Sequence, residues 1–371
     1  MKKLGFGMMR LPLTNPNDMT SIDIELFKKM ADTFIERGFT YFDTAYPYHN
    51  GKSEEAFRKA VAERYPRTAF TLTDKMPCWE VSREEDLQRI FDIQLERCGV
   101  DYFDYYWLHA LNREYYSTMQ RVHGFDFIAR MKAEGKIKHI GFSFHDEVGL
   151  LEEILNSHPE AEYVQLQINY LDWNDASVDA ARCYETCVRH GKPVIVMEPV
   201  KGGSLARVPQ EAEQLFKAVH PQMSPASWAV RYAASLSNVM MVLSGMSNME
   251  QTLDNTGYME NFEPVSRDEE AVIEKAALII KRSIAIPCTA CHYCTEGCPQ
   301  QIAIPEYFAL YNTLQQFGAK EQGMNTSVYY EVLNKSHGKA SDCIECGQCE
   351  EHCPQHLPII ENLKKVAQTF E

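Results

Sequence analysis

Two cysteine runs announce chemistry before any fold is considered: CTACHYCTEGCP at 288–299 and CIECGQCEEHCP at 343–354. Each has the spacing C-x2-C-x2-C-x3-C-P, which suits thiolate ligation of a cubane [4Fe–4S] cluster. Zinc also accepts four thiolates, but it does not call for a proline-terminated triple spacing twice over. Cys288, Cys291, Cys294, Cys298, Cys343, Cys346, Cys349 and Cys353 therefore read as ligands of two clusters. A second set lies nearer the N-terminus: Asp43 and Tyr48 in FDTAYPYHNGKSEE, Lys75 in TLTDKMP, and His109 in YYWLHAL. A carbonyl that receives hydride develops alkoxide charge and needs a proton. A tyrosine with a pKa of about 10 is a poor donor unless its conjugate base is stabilised. Lys75 beside Tyr48 is expected to lower that pKa, and Asp43 to hold Lys75 as its ion pair. His109 could then hydrogen-bond the substrate oxygen or relay the proton. Taken singly, Asp43 and Lys75 could be a structural ion pair and His109 a core histidine; four such residues at the mouths of three successive strands favour catalysis.

The elements that must position these residues alternate. From residue 1 to about 262, short β-rich apolar runs are followed by amphipathic stretches, the pattern of βα units around a parallel sheet. The strand candidates are KLGFG, TYFDT, AFTLT, FDYYWLH, IKHIGFS, YVQLQIN, PVIVMEP and NVMMVLSG. VSREEDLQRIFDIQLERCG predicts a helix with a capping box from Ser82 to Glu85. It would bear an inner face of Leu87, Ile90, Phe91, Leu95 and Cys98 and stop at Gly99. Eight βα repeats close into a (β/α)8 TIM barrel, whose chemistry gathers at the C-terminal ends of the strands. After NFEPVSRDEEAVIEKAALIIKRS the alternation stops. The expected division is 1–262 for the barrel and 263–371 for a linker helix and a smaller, mostly helical domain holding the clusters.

The order and spacing of Asp43, Tyr48, Lys75 and His109, with DTA after the second strand, resemble the catalytic tetrad of the aldo-keto reductases. AEGKIKHIGFS, VQLQIN and LSGMSNMEQTLDN resemble further segments of that family. The resemblance implies a (β/α)8 barrel that binds NADP or NAD without a Rossmann motif. It places Gly7, Met8, Ser143, Gln165, Asn169, Met197, Glu198 and Pro199 around the nicotinamide. It places Gly245, Met246, Ser247, Gln251 and Asn255 at the adenosine half. Three residues depart from the pattern: Met197 where many members stack an aromatic ring, Phe144 where many have asparagine, and Gln251 where an arginine often meets the adenosine 2'-phosphate. A glutamine cannot offer that charge. Trp79 and Trp173, on loops after the third and sixth strands, are expected to wall the substrate pocket.

The cysteine runs resemble those of bacterial two-cluster ferredoxins. That likeness implies an exchange of fourth ligands, with Cys288, Cys291, Cys294 and Cys353 on one cluster and Cys343, Cys346, Cys349 and Cys298 on the other.

Composition narrows the setting. The chain has 371 residues, 45% hydrophobic and 24% charged, with a net charge of -15. Such a field repels phosphate backbones and anionic lipids, so nucleic acid and membrane surfaces are not expected partners. MKKLGFGMMRLPL is interrupted by Arg10 and Pro12 and reads as a strand, not a signal peptide. No apolar run approaches the roughly 20 residues of a membrane helix. Cys78, Cys98, Cys183 and Cys187 stand outside the cluster motifs, a disulfide framework is not expected, and a reducing cytoplasm follows. There the acceptor pattern NTS at Asn325 carries no meaning. Cys183, Cys187 and His190 share a helical face and could suggest a metal site, but buried cysteines serve as small hydrophobes and the core reading prevails.

The expected function is an oxidoreductase that reduces a small-molecule carbonyl, or oxidises the alcohol, with two clusters for electron transfer or structure and an electron-transfer protein as their partner. Hydride moves electrons in pairs and clusters move them singly, so a wired enzyme would need a converter such as a flavin or a one-electron substrate. The alternatives are therefore such a ferredoxin-linked enzyme, or a non-catalytic redox or cofactor sensor.

Overall fold

The structure, a computed structural model, describes residues 2–16, 18–175, 178–317 and 326–371. Asn325 lies outside the described residues. Contacts divide the chain into two units, Met1–Pro199 with Ser227–Val265, and Val200–Ala226 with Ser266–Glu371. The stretch 200–226, which the alternation of elements assigned to the barrel, thus groups with the tail.

In the first unit eight strands form a closed parallel barrel in sequence order. They are β1 Leu4–Gly7, β2 Tyr41–Asp43, β3 Thr71–Pro77, β4 Phe103–Leu111, β5 Ile137–Phe144, β6 Tyr163–Gln167, β7 Val194–Met197 and β8 Val239–Gly245. All eight overlap the expected apolar runs, with β3 continuing four residues past AFTLT. Tyr41, Tyr105, Trp107, Ile195, Met241 and Leu243 fill the barrel interior. Gly141 in β5 leaves room for one of them: a Cβ there would stand 2.7 Å from the Trp107 ring and 2.2 Å from the Tyr163 carbonyl oxygen. On the outside of the strands Phe6 and Phe42 meet Phe34 of the helix Ile24–Glu36 edge to face. Each such buried side chain contributes about 1.5 to 3 kcal/mol.

The helix after β3 begins one residue later than its sequence predicts. It spans Glu84–Cys98, and Asp86, not Glu85, closes the start by accepting from the backbone N–H of Arg83 at 3.0 Å and of Ser82 at 3.2 Å. Gly99 ends it in the left-handed region. Its inner face carries a polar residue that periodicity does not announce, the fully buried Gln94.

The second unit is mostly helical, with Arg267–Ser283, Ile304–Phe317, Thr326–Leu333 and Ile359–Phe370 as its longer helices after the barrel. Ser266 and Glu269 cap the first of these reciprocally. His220, at the end of the helix Gln210–Val219, lies 2.8 Å from Glu269. Ile302, Ile304, Tyr307, Phe308, Ile359 and Leu363 pack a small core that includes the thiols of Cys294, Cys349 and Cys353. Among the described residues no helix is long and apolar enough to cross a membrane.

Candidate active site and cysteine cages

Strand alternation decides which side chains enter the barrel. Along β3, Thr73 and Lys75 face inward: Thr73 Oγ1 donates to Tyr41 Oη at 2.6 Å, and Lys75 Nζ reaches Asp43 Oδ1 at 2.6 Å and the Thr44 carbonyl at 2.6 Å. Both ends of the ion pair are buried. The Tyr48 ring lies over this pair, with Lys75 Nζ 5.1 Å from its centroid. Across from Tyr48 stands His109, ring to ring 6.1 Å. The structure therefore brings all four predicted residues together.

Their electrostatics depart from expectation at one point. Burial first, then the Asp43 and Glu198 carboxylates, push the Tyr48 phenol well above its usual pKa, with Arg10 opposing them. The expected lowering by Lys75 is not what the site does, because Lys75 is already engaged by Asp43 and the phenol is withdrawn from water. The Tyr48 phenol is therefore protonated, and a protonated phenol can give its proton to an alkoxide, a far stronger base than phenolate. Burial, then Lys75, then His145, press the His109 imidazole well below its usual range, so it is neutral. Burial raises Asp43, and Lys75 opposes that rise. Three buried polar atoms at this mouth have no partner: Asp43 Oδ2, His109 Nδ1 and Gln165 Oε1. Unpaired buried groups are costly, and these are sites a ligand can satisfy.

The residues expected to line a cofactor pocket stand at or just beyond strand ends. Gly7 closes β1 and Met8 follows it, Ser143 lies near the end of β5, Gln165 on β6, Met197 closes β7, and Gly245 closes β8. Ser143 Oγ accepts from the backbone N–H of Ala110 at 2.7 Å and can still donate. Glu198 has a left-handed backbone, φ 54°, and its carboxylate lies 3.5 Å from Arg10; Pro199 beside it is buried. Met246 is buried. Ser247 donates its hydroxyl to the Arg10 carbonyl and its N–H to Gln251 Oε1, while the Gln251 N–H is capped by Asn248. Asn255 is held between Ser244 and Tyr258. Asn169 is engaged by its surroundings: its amide donates to Asp172 at 2.7 Å and to the Glu198 carbonyl at 3.2 Å, and its oxygen accepts from the N–H groups of Leu171 and Asp172. All four positions of that amide are taken, so in this conformation it braces the loop and has none left for a ligand.

The two tryptophans divide. Trp79 lies 5.1 Å from His109 and 5.9 Å from Tyr115, ring to ring, and so walls the tetrad. Trp173 packs instead on Tyr184 and Tyr232. Sequence reading missed Tyr115, whose only signal was its place in the loop and helix following β4. It also passed over Asp74, the neighbour of Lys75. Cys183 and Cys187 are buried in the core, and His190 bonds Glu152 at 2.8 Å.

The second unit holds two small cavities. One is walled by Cys288, Cys291, Cys294 and Cys353; the other by Cys298, Cys343, Cys346 and Cys349. These are the two ligand sets with fourth cysteines exchanged. Among the described residues no three His, Cys, Asp or Glu converge as on a single metal ion. Thiols spread around a cavity suit a cubane and do not suit one tetrahedral zinc with bonds of about 2.3 Å. The cages are neighbours: Cys294, Cys349 and Cys353 belong to one small core.

The loop leaving β7 enters this unit. Its Lys201, Gly202 and Gly203 all have positive φ, and Gly202 abuts the Thr289 backbone between the first two ligands of its cage.

Comparison with known proteins agrees with this geometry. An L-galactose dehydrogenase of Arabidopsis thaliana is 24% identical over 266 residues, covering 65% of this chain and 80% of that protein. In structure the chain is similar to an aldo-keto reductase of Klebsiella pneumoniae solved with NADPH, at 18% identity and TM-score 0.58 over 74% of this chain and 90% of that one. It is likewise similar to the holo form of an aldo-keto reductase of Bacillus halodurans, at 23% identity and TM-score 0.58 over 74% and 91%. Residues 287–357 match the 4Fe-4S dicluster domain, where the two cages lie. Residues 3–277 match the Aldo/keto reductase family, and with the tetrad assembled at the mouth of its barrel the chain belongs to that family of oxidoreductases.

Proposed function

We propose that the barrel reduces a small carbonyl compound, or oxidises the corresponding alcohol, with Tyr48 as the proton donor. The observation that carries this is the Lys75–Asp43 pair buried beneath the Tyr48 ring, with neutral His109 opposite. When bound, a nicotinamide cofactor supplies the hydride. Gln165 Oε1, buried and unpartnered, can accept from a carboxamide N–H, and Ser143 can donate to one; Ser247 and Gln251 would meet the adenosine half. Neutral His109 orients the substrate oxygen by donating to it. Tyr48 then gives its proton to the developing alkoxide, and the Lys75 charge stabilises the phenolate left behind. Trp79 and Tyr115 exclude water and favour an apolar or aromatic carbonyl compound.

We infer further that the two clusters exchange electrons with a protein partner in a reducing cytoplasm, and that the functional barrel ends near residue 262. Two adjacent cages support a relay, since one zinc would have sufficed to staple so small a domain. A flavin or one-electron substrate would be needed to join this relay to hydride chemistry. The test is an absorption spectrum of anaerobically purified protein, titrated with NADH and with NADPH, beside a carbonyl reduction assay. Turnover with either nicotinamide that is lost in Tyr48→Phe supports the reading. Turnover that survives in Tyr48→Phe overturns it.

A further inference from the structure

Behind Lys75, on the outer side of β3, lies a pair of carboxyls that hydride chemistry does not use. Once Lys75 faces the barrel interior its predecessor Asp74 must face the helices. There it meets Glu54 of the helix Ser53–Phe57, and both are fully buried. Glu54 accepts from Arg97 at 3.0 Å and from Gln94 Nε2 at 3.2 Å. The same Gln94 amide donates to the Lys75 carbonyl at 2.9 Å, and its oxygen accepts from Tyr106. Asp74 Oδ1 accepts the Lys75 N–H at 2.8 Å, and Oδ2 lies 3.6 Å from Cys98 Sγ. Both peptide groups of Lys75 are therefore gripped by one buried network that contains both Asp74 and Glu54.

We propose that Glu54 and Asp74 are a proton-sharing positioning pair for Lys75, which hold it beneath Tyr48 through Gln94 and whose ionisation is felt at the phenol. This rests on the reading of Tyr48 and Lys75 as reacting groups.

Among the described residues the groups that face the pair include Lys75 on β3, Arg97 and Cys98 on the helix Glu84–Cys98, and Tyr106 on β4, with Cys78 just beyond. Lys75 is committed to Asp43. Burial, first, pushes Cys98, Tyr106 and Cys78 up, so they are neutral. Arg97 bonds Glu54, and Lys75, though committed to Asp43, also favours the Asp74 carboxylate, yet two like charges in one buried pocket do not both ionise readily. Burial first, then Asp74, raise Glu54 well above the carboxylate range. Burial raises Asp74 to about 7. As pH climbs through neutrality the pair releases one proton to solvent and keeps the other. The added negative charge is one of those that push Tyr48 up, so proton donation weakens on the alkaline side.

The experiment follows the carboxyl groups of the whole protein by infrared difference spectroscopy from mildly acidic to mildly alkaline pH, and measures kcat and KM for carbonyl reduction over the same range. The expected result is loss of protonated-carboxyl absorption near neutrality in the wild type, absent in Asp74→Asn. With it comes a fall in kcat of roughly three- to tenfold, also absent in Asp74→Asn, with KM for the nicotinamide unchanged. Glu54→Gln keeps the shape of the site while removing the acid that shares a proton with Asp74, so it should move the step and the kcat profile along the pH axis, and it serves as the second variant should Asp74→Asn fold poorly. No infrared step in the wild type, or the wild-type pH profile retained in either variant, overturns the proposal. The infrared arm is independent of turnover: a protein that shows the step but reduces no carbonyl supports the pair and counts against the hydride reading instead.

Discussion

Gly202 lies so close beneath Thr289 that a Cβ added to it would stand 2.2 Å from the Thr289 carbonyl oxygen. The obstacle is backbone, which cannot swing away, and Gly202 has φ 65°, a conformation that costs a side-chain-bearing residue about 1 to 2 kcal/mol. Gly202→Ala is expected to push Thr289 outward and loosen the cage of Cys288, Cys291, Cys294 and Cys353. Iron and labile sulfide per chain should fall toward half. Gly203→Ala is the control: it is also strained, φ 101°, but it meets nothing within 4 Å, so it should keep its iron. Equal iron in both variants would show that the contact is immaterial.

Tyr48→Phe removes the proton donor and leaves the ring. Carbonyl reduction should drop about 10² to 10⁴-fold with nicotinamide binding nearly unchanged. Steady-state kinetics together with a fluorescence titration of the cofactor separate the two effects.

Lys75→Met leaves Asp43 as a buried charge without its partner. Breaking such a pair typically costs about 3 to 5 kcal/mol, whereas replacing both members costs much less. The double variant Lys75→Met/Asp43→Asn should therefore unfold at higher urea concentration than Lys75→Met alone, though neither should reduce carbonyls.

The exposed Gln251 offers no cation to a 2'-phosphate. The dissociation constants of NADH and NADPH should differ little, and Gln251→Arg should favour NADPH by about 1.5 to 3 kcal/mol, the worth of a hydrogen bond to a charged group. An unchanged ratio in the variant would place the 2'-phosphate elsewhere.

Stability should also report Asp74. Its folded pKa of about 7 lies above the ordinary carboxylate value of about 3.9. Between those values the folded chain retains a proton that the unfolded chain has released. The contribution is complete below about pH 4, is lost as pH rises through about 7, and is level beyond. Urea midpoints should decline over that window in the wild type and remain flatter in Asp74→Asn.

The separability of the two halves is constrained by the fold. Cutting the chain after residue 262 would seem to release a complete barrel, but the helix Gln210–Val219 groups with the unit that follows residue 265, where His220 meets Glu269. Truncation would strip that segment of its partners. Substituting a ligand such as Cys346 therefore tests the clusters more cleanly than deletion does.

The sequence by itself determined the eight strands, and it singled out the four residues that the fold brings together at their mouths and the eight cysteines that line two cavities. These are local signals: an apolar run bounded by turns defines a strand wherever it packs, and a ligand spacing is set by the geometry of what it binds. Sequence could not determine quantities that depend on what surrounds a group. Asn169 reads in sequence as a cofactor contact, but sequence does not show that Leu171, Asp172 and the Glu198 carbonyl meet its amide in the fold. Tyr48 was expected to be acidified by Lys75, yet the depth of the site and the prior claim of Asp43 on that lysine decide the opposite. Trp79 and Trp173 are equivalent in sequence, each a tryptophan on a loop after a strand, and only packing sends one to His109 and the other to Tyr184. Glu54, Gln94 and Asp74 are ordinary polar letters in the chain. Their burial behind Lys75 follows from strand alternation and helix packing together, because desolvation and charge proximity are properties of three-dimensional neighbours, and spacing along the chain does not encode them.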